Sequence, residues 1–144
     1  MVATIAEGQR YVLPVRFQKA LRLLRTALAE VEVEVIQDLD AAMVLGAPLA
    51  ASPHARILLV DSPILLLEAI ALDRASAVFL PLHILVAEDG QETAISVGNA
   101  CSAHNVRLPA GASGPISRLH GRIALALEGL SQQIARKSCL VGGE

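Results

Sequence analysis

The hydrophobic positions of two long stretches recur with the period of an amphipathic helix. Residues 16–30 carry apolar side chains spaced so that they share one helix face, and residues 115–137 repeat this pattern over a longer run. The stripes consist of Phe17, Leu21, Leu24 and Leu28 in the first stretch and Ile116, Leu119, Ile123, Leu127, Leu130 and Ile134 in the second. We therefore predict two long helices, each with one side suited to a core.

Other segments carry strand patterns. Residues 31–36 alternate valine with glutamate, which predicts a half-buried strand with one wet face. Residues 56–60 are almost continuously apolar, as expected of a central strand covered on both faces. Residues 10–15 predict a short strand that Pro14 confines to a sheet edge or end, because proline cannot donate a ladder hydrogen bond. Residues 1–9 are weakly patterned and are expected to be a frayed arm or an edge strand.

The most specific local signal is Asp89-Gly90, a dipeptide typical of a two-residue hairpin turn with positive φ at both positions. Folding the chain at this turn places His83 directly across from Ser96. One face of the hairpin is then apolar. The other face is only weakly polar and contains His83, Leu85, Ala94 and Ser96. Because an open sheet normally has a polar wet side, we expect something to cover this second face.

Together these elements predict a single α+β domain over residues 1–144. The sheet is expected to be antiparallel, with four to five strands, and to carry the two long amphipathic helices on one face. Residues 1–9 and 138–144 are expected to be mobile.

Composition narrows the classes of partner. The chain is 53% hydrophobic and 2% aromatic, with 12 basic and 14 acidic side chains. It lacks the basic field and stacking surface that nucleic acids require, so no nucleic-acid partner is expected. Residues 56–72 are the most apolar run, but Asp61, Pro63 and Glu68 interrupt them, so no membrane partner is expected. The first ten residues show no signal-peptide core and two cysteines suit a reducing compartment, which favours the cytoplasm.

The order of elements and several short motifs resemble domain-of-unknown-function family 302 (DUF302). The motifs are the helix and valine-rich strand of residues 16–37, the strand, polar-proline turn and helix start of residues 56–63, and Leu80-Pro81 followed by a strand and an acidic-glycine hairpin ending at Gly90. The resemblance covers about residues 16–131 and implies a compact α+β domain, often homodimeric, with no established activity. Some members carry cysteine where this chain has Leu82, so the resemblance does not imply thiol chemistry here.

Asp61 and Ser62 are the first candidates for a ligand site. They follow a predicted buried strand and precede Pro63, at a helix start whose free amides and dipole favour an anion. The alternative is that their side chains simply cap the helix predicted over residues 63–72.

His83 is the best candidate for a reactive side chain, because it lies in an apolar strand and the predicted register brings Ser96 within hydrogen-bonding reach. Its imidazole could act as a base, a ligand or a pH sensor. The alternative is a satisfied histidine in a core or an interface.

Two weaker patterns complete the candidates. Cys101, His104 and His120 could offer a thiolate and two imidazoles to zinc or copper. The basic residues of the first predicted helix lie off its apolar stripe, and they form either an anion-binding face or an ordinary solvated surface. These residues are Arg16, Lys19, Arg22 and Arg25.

The sequence therefore favours a homodimeric, non-enzymatic binding domain without a cofactor. The second subunit or a small-molecule ligand of apolar character would cover the face around His83. The alternative is a small enzyme or redox accessory protein that uses His83 with Asp61 or Ser62. The sequence contains no phosphate-binding loop, dinucleotide fingerprint, nucleophile elbow or zinc-protease helix, which removes the common enzyme classes that such motifs identify.

Overall fold

The computed structural model of the chain describes residues 2–5, 8–41, 54–75, 80–98 and 113–141. Within these ranges the chain forms six strands and three helices. In chain order they are β1 (Val2–Ile5), β2 (Gly8–Leu13), α1 (Phe17–Glu30), β3 (Glu34–Asp40), β4 (Ala55–Asp61), α2 (Pro63–Leu72), β5 (Leu82–Asp89), β6 (Glu92–Gly98) and α3 (Ser113–Val141).

The strands form one sheet in the order β1-β2-β6-β5-β4-β3. Every neighbouring pair is antiparallel. The predicted α+β class with an antiparallel sheet is confirmed. The described part of the sheet has one strand more than predicted, because Val2–Ile5 pairs with β2 and forms an edge strand.

The core lies between one face of the sheet and the helices. Alternate residues of the central strands point into it, and both predicted helix stripes meet them there. Fully buried members include Leu24, Leu28, Leu58, Ile84, Ile95, Leu119, Ile123 and Leu127. The core is almost entirely aliphatic, with Tyr11 and Phe17 as its rings. The two predicted long helices therefore share one sheet face, and we call the opposite side the second sheet face.

The end of α1 explains why β3 begins later than predicted. Val33 N–H bonds the carbonyl of Leu28 at 3.0 Å, and Glu32 N–H bonds that of Ala29 at 3.1 Å. With Glu32 at φ 60°, these bonds form a Schellman motif, and the apolar pair Val33 and Leu28 is buried beneath it. The predicted strand start at Val31 was wrong, because the first half of the alternating segment ends the helix.

The hairpin loop lies one residue further along than predicted, which shifts each cross-strand partner by two residues. Gly90 and Gln91 form the loop, and Asp89 pairs with Glu92. Only Gly90 in this loop has positive φ, at 62°. A two-residue turn with glycine first matches type II′ rather than the predicted type I′. The predicted pairing of His83 with Ser96 was therefore wrong, because Ser96 pairs with Leu85.

Helix α2 begins at Pro63 and ends at Leu72, as predicted. Apart from Glu68 it is apolar on all sides, unlike a typical surface helix. Leu65 and Ala69 are buried, whereas Ile64 and Leu67 are exposed. Helix α3 packs beside it, and an ion pair between Arg118 and Glu68 joins the two helices.

Candidate functional site

The four predicted site residues lie in two separate places. Asp61 ends β4 and Ser62 precedes α2, so both lie at the strand-to-helix junction. His83 lies on β5 and Ser96 on β6, and both side chains belong to the second sheet face.

Asp61 is a buried carboxyl group, with 3% of the residue exposed. Its Oδ1 accepts a hydrogen bond from the backbone N–H of Ser62 at 2.7 Å. Burial raises the pKa of Asp61 above its ordinary value, and this hydrogen bond opposes the rise only in part. In the β3–β4 ladder Asp61 lies opposite Glu34, so a second carboxyl group belongs to the same end of the sheet.

Ser62 occupies the N-cap position of α2 with extended backbone, but its side chain makes no capping hydrogen bond. Instead its Oγ accepts a hydrogen bond from Nη1 of Arg122 at 3.3 Å. Sequence analysis missed Arg122, because it lies between apolar positions of α3 and resembles an ordinary solvated residue. The hydroxyl of Ser62 therefore joins α2 to α3 rather than closing its own helix end.

A cavity of about 690 Å³ opens beside Ser62. The end of α1 and the start of β3 form its other walls, with Arg25, Glu32 and Glu34 as the charged members. Exposed Ile64 of α2 lies at the same cavity. The junction thus combines apolar walls with charges of both signs.

His83 is exposed on the second sheet face and lies directly opposite Leu59 of β4. Ser96 lies opposite Leu85 on one side and Arg10 on the other. His83 and Ser96 thus share a face without facing each other. No hydrogen bond joins His83 to Asp61, Ser62 or Ser96 among the described residues.

The second sheet face is apolar in its central part. Leu85 is 40% exposed there, although it is a leucine near the middle of a central strand. Its half-buried neighbours on the same face are Val12, Leu39, Ile57 and Leu59. The described helices pack against the opposite face, so within the described ranges these side chains have no helix above them.

Of the proposed metal-binding residues, Cys101 and His104 lie outside the described residues. His120 lies on α3, where its Nε2 is buried without a hydrogen-bond partner in the described part of the chain. Burial lowers the pKa of His120. The described residues contain no group of three or more His, Cys, Asp or Glu side chains that could hold a metal ion.

Comparison of the sequence with known protein families gives a match. The sequence profile of the family described as "Domain of unknown function DUF302" matches residues 9–124. The chain belongs to this family. The DUF302 match confirms the predicted resemblance, although it begins and ends somewhat earlier than the predicted range of about 16–131.

A crystal structure of an uncharacterized conserved DUF302 protein from Bacillus stearothermophilus is similar to this DUF302 chain. The TM-score is 0.66 at 17% sequence identity, and the match covers 83% of this chain and 95% of the other. At this identity the similarity shows a shared fold. A search of curated proteins finds no match. No helix in the described ranges is both long and apolar enough to cross a membrane.

Proposed function

We propose that this chain is a homodimeric, non-enzymatic binding domain in which a second copy covers the second sheet face. The observation that carries the proposal is the exposure of Leu85 in the middle of an apolar sheet face. Antiparallel sheets normally alternate apolar and polar side chains so that one face is solvated. Here the solvent-facing positions around Leu85 include Ile57 and Leu59, which favours a partner surface rather than water.

A charged pair lies near the hairpin end of this face, whereas polar His83 and Ser96 lie nearer its centre, beside Leu59 and Leu85. Arg10 and Asp89 form an exposed ion pair at 3.7 Å, and Glu92 pairs with Asp89 in the ladder. Apolar side chains interspersed with a few uncharged polar ones, and charged pairs that stay exposed to solvent, are compatible with a protein–protein interface. The formal net charge of −2 is small enough that two copies would not repel each other strongly.

The size of the face is also suitable. Without the short edge strand β1, the five strands β2 to β6, about 4.8 Å apart and about 20 Å long, present roughly 500 Å² in projection. Two such faces would bury about 1,000 Å² in total, which is about the lower limit for a specific interface. Two such faces would stack as sheets about 10 Å apart.

The enzyme alternative has less support. Asp61 is engaged with the Ser62 backbone, and the Ser62 hydroxyl is engaged with Arg122. A nucleophile or base normally lies within hydrogen-bonding reach of its activating partner, and no such bond links His83 to this pair in the described chain. A binding role at the second sheet face accounts for His83 as an interface residue.

Light scattering after size-exclusion chromatography tests the proposal with two matched variants. Leu85→Glu places a charge on the second sheet face, and Leu125→Glu places the same charge on α3, where Leu125 is 64% exposed. We expect the wild type and Leu125→Glu to have twice the 15.1 kDa chain mass and Leu85→Glu to be a monomer.

A monomeric wild type at micromolar concentration would overturn the proposal. So would a monomeric Leu125→Glu beside a dimeric Leu85→Glu, because the interface would then lie on the helix side. Native mass spectrometry of the wild type adds a further check. A co-purifying small molecule that is lost in Leu85→Glu, on a monomeric chain, would assign the face to a ligand instead.

A further inference from the structure

A second cavity lies on the helix side of the sheet, opposite the second sheet face. It has a volume of about 520 Å³ and opens between α1 and the ends of β3 and β4. This volume lies within the usual range for small-molecule sites. Its charged walls are Arg22 and Arg25 from α1, Asp38 and Asp40 from β3, and Arg56 from β4.

Asp38 holds two of the guanidinium groups in place. Its Oδ1 accepts a hydrogen bond from Nε of Arg56 at 2.7 Å, and its Oδ2 accepts one from Arg25. Partial burial alone would raise the pKa of Asp38, but the hydrogen bonds from Arg56 and Arg25 outweigh burial and lower it. Asp38 is therefore ionised, and its carboxylate connects α1 to β4. Each guanidinium keeps further N–H groups beyond those it gives to Asp38.

Arg22 differs from the other two arginines. It lies one helical turn from Arg25 and Gln18, and it lines the same cavity. Within the described chain its guanidinium forms no ion pair with a carboxylate. All five of its N–H donors are therefore available for a ligand.

The cavity is also lined by two stacked rings. The rings of Phe17 and His54 stack with their centroids 5.9 Å apart and their planes inclined by 23°. Phe17 is buried, whereas His54 is exposed at the cavity, and Leu21 lies beside them. Aromatic groups prefer such offset stacking, so the exposed ring of His54 offers a surface for a planar group.

From these observations we propose that the cavity binds a small organic monocarboxylate with a flat, aromatic body. Arg22 would donate hydrogen bonds to the carboxylate of the ligand, and His54 would stack on its ring. Arg25 and Arg56 would supply further positive charge around the carboxylate. The net charge of the cavity lining indicates the class of ligand. Three guanidinium groups against two carboxylates leave a balance of +1 with a neutral imidazole, which matches a monoanion. A phosphate dianion would meet Asp38 and Asp40 without full compensation.

Benzoate serves as the probe ligand. Its binding is measured by the changes in backbone amide chemical shifts during a nuclear magnetic resonance titration. We expect shifts concentrated in residues 17–26, 38–40 and 54–56 and a Kd on the order of a millimolar or tighter, given the small size of the probe. Benzamide keeps the ring without the charge, and acetate keeps the charge without the ring. Both should bind at least about fivefold more weakly.

Three variants test whether positive residues of the cavity strengthen benzoate binding and negative residues weaken it. Arg22→Gln should weaken benzoate binding about tenfold, because it removes a charge-assisted contact. Asp40→Asn should strengthen it about threefold, because it removes a carboxylate that repels the anion and that forms an ion pair with Arg56 at 3.8 Å. Arg136→Gln is the control, since Arg136 is exposed on α3 and does not line the cavity. It should leave binding unchanged.

Several results would overturn the proposal. They are the absence of shifts around the cavity, benzamide or acetate binding as tightly as benzoate, or unchanged binding in both Arg22→Gln and Asp40→Asn. Inorganic phosphate binding more tightly than benzoate would reject the monocarboxylate class. None of these outcomes depends on the oligomeric state, so this proposal and the proposed dimer can fail separately.

Discussion

Nε of Arg56 donates a hydrogen bond to Oδ1 of Asp38 at 2.7 Å, diagonally across the β3–β4 ladder. In the register itself Asp38 faces Leu58, and Arg56 faces Asp40. The diagonal contact is within reach of a long side chain. Since Arg25 of α1 bonds the same carboxylate, one aspartate connects two strands and a helix at the border of the core.

Replacing Asp38 should therefore cost stability in a pH-dependent way. We expect Asp38→Asn to lower the free energy of unfolding by on the order of 1 kcal/mol at neutral pH, as for a partly exposed, doubly bonded ion pair. The pKa of Asp38 is lowered in the fold, so its contribution is present above the unfolded-state pKa and is lost as pH falls through the folded-state pKa. Urea unfolding of both proteins should show stabilities that converge only when the pH falls below the folded-state pKa of Asp38, which is itself below the ordinary aspartate value.

Asp89→Asn is the matched control for this experiment. Asp89 also pairs with an arginine, but its contact with Arg10 is 3.7 Å long and both side chains are largely exposed. Its replacement should change stability by less than about 0.5 kcal/mol. An equal loss in both variants would show that the network around Asp38 adds nothing beyond an ordinary surface pair.

For Asp61 we expect the opposite dependence of stability on pH. Burial raises its pKa despite the hydrogen bond from Ser62, so the folded state binds a proton more readily than the unfolded state. The carboxyl group favours folding most below the ordinary aspartate pKa, and that advantage disappears as pH rises through the folded-state pKa. Asp61→Asn keeps an oxygen acceptor for Ser62 and removes the charge opposite Glu34.

We therefore expect Asp61→Asn to raise Tm by a few degrees at pH 7, which corresponds to on the order of 1 kcal/mol for a chain of this size. The gain should shrink towards zero near pH 3. Differential scanning calorimetry at the two pH values provides the measurement. A lower Tm at pH 7 would contradict the expectation and indicate that the ionised carboxylate is better stabilised than its burial suggests.

The sequence predicted the helices well because helical periodicity and burial coincide in them. The stripe of Leu24 and Leu28 is the buried face of α1, and Pro63 begins α2 as its residue type suggests. The ending of α1 was harder to predict. Alternating valines suit a strand, but Val33 also satisfies the apolar position that follows a Schellman turn, and only tertiary packing distinguishes the two.

The hairpin register failed for a related reason. A shift of two residues leaves every side chain on the same sheet face, so the apolar pattern of Ile84, Val86 and Ile95 fits both registers equally. The turn residues decide between them, and the predicted type I′ turn gave way to one starting at Gly90. The charged contacts could not be predicted from the sequence. Asp38 and Arg122 each resemble solvated residues until the fold brings their partners to them.

The two described residues with positive φ predict opposite responses to substitution. Glu32, at φ 60°, occupies a position that favours glycine, and Gly90, at φ 62°, already has it. Glu32→Gly should stabilise the fold by about 0.5–1 kcal/mol, because relief of backbone strain exceeds the added freedom of the unfolded chain. Gly90→Ala should destabilise it by about 1 kcal/mol, although a Cβ there would meet no atom within 4 Å.

Chemical denaturation of these two variants supplies the measurement, and Gly129→Ala supplies the control. Gly129 lies in α3, where an added Cβ also has open space. Alanine should stabilise the helix there by about 0.5–1 kcal/mol. Destabilisation of Gly129→Ala similar to that of Gly90→Ala would mean that something other than backbone conformation governs the glycine positions.

His120 gives a final, pH-dependent test of the helix layer. Its Nε2 is buried without a hydrogen-bond partner in the described chain, and burial lowers its pKa below the ordinary 6.5. The unfolded chain therefore takes up a proton before the folded chain does, and stability should fall as pH drops below about 6.5. Above that value both states hold a neutral imidazole and the effect is absent.

His120→Leu fills a similar volume and removes the unpaired polar atom, so at pH 7.5 we expect it to be as stable as the wild type or more stable. Between pH 7.5 and 5 its advantage in the free energy of unfolding should grow. The two proteins share every other titratable group, so the difference between the two pH profiles isolates His120. Parallel profiles would contradict the expectation, because they would mean that the imidazole of His120 gains a proton as easily inside the fold as outside it.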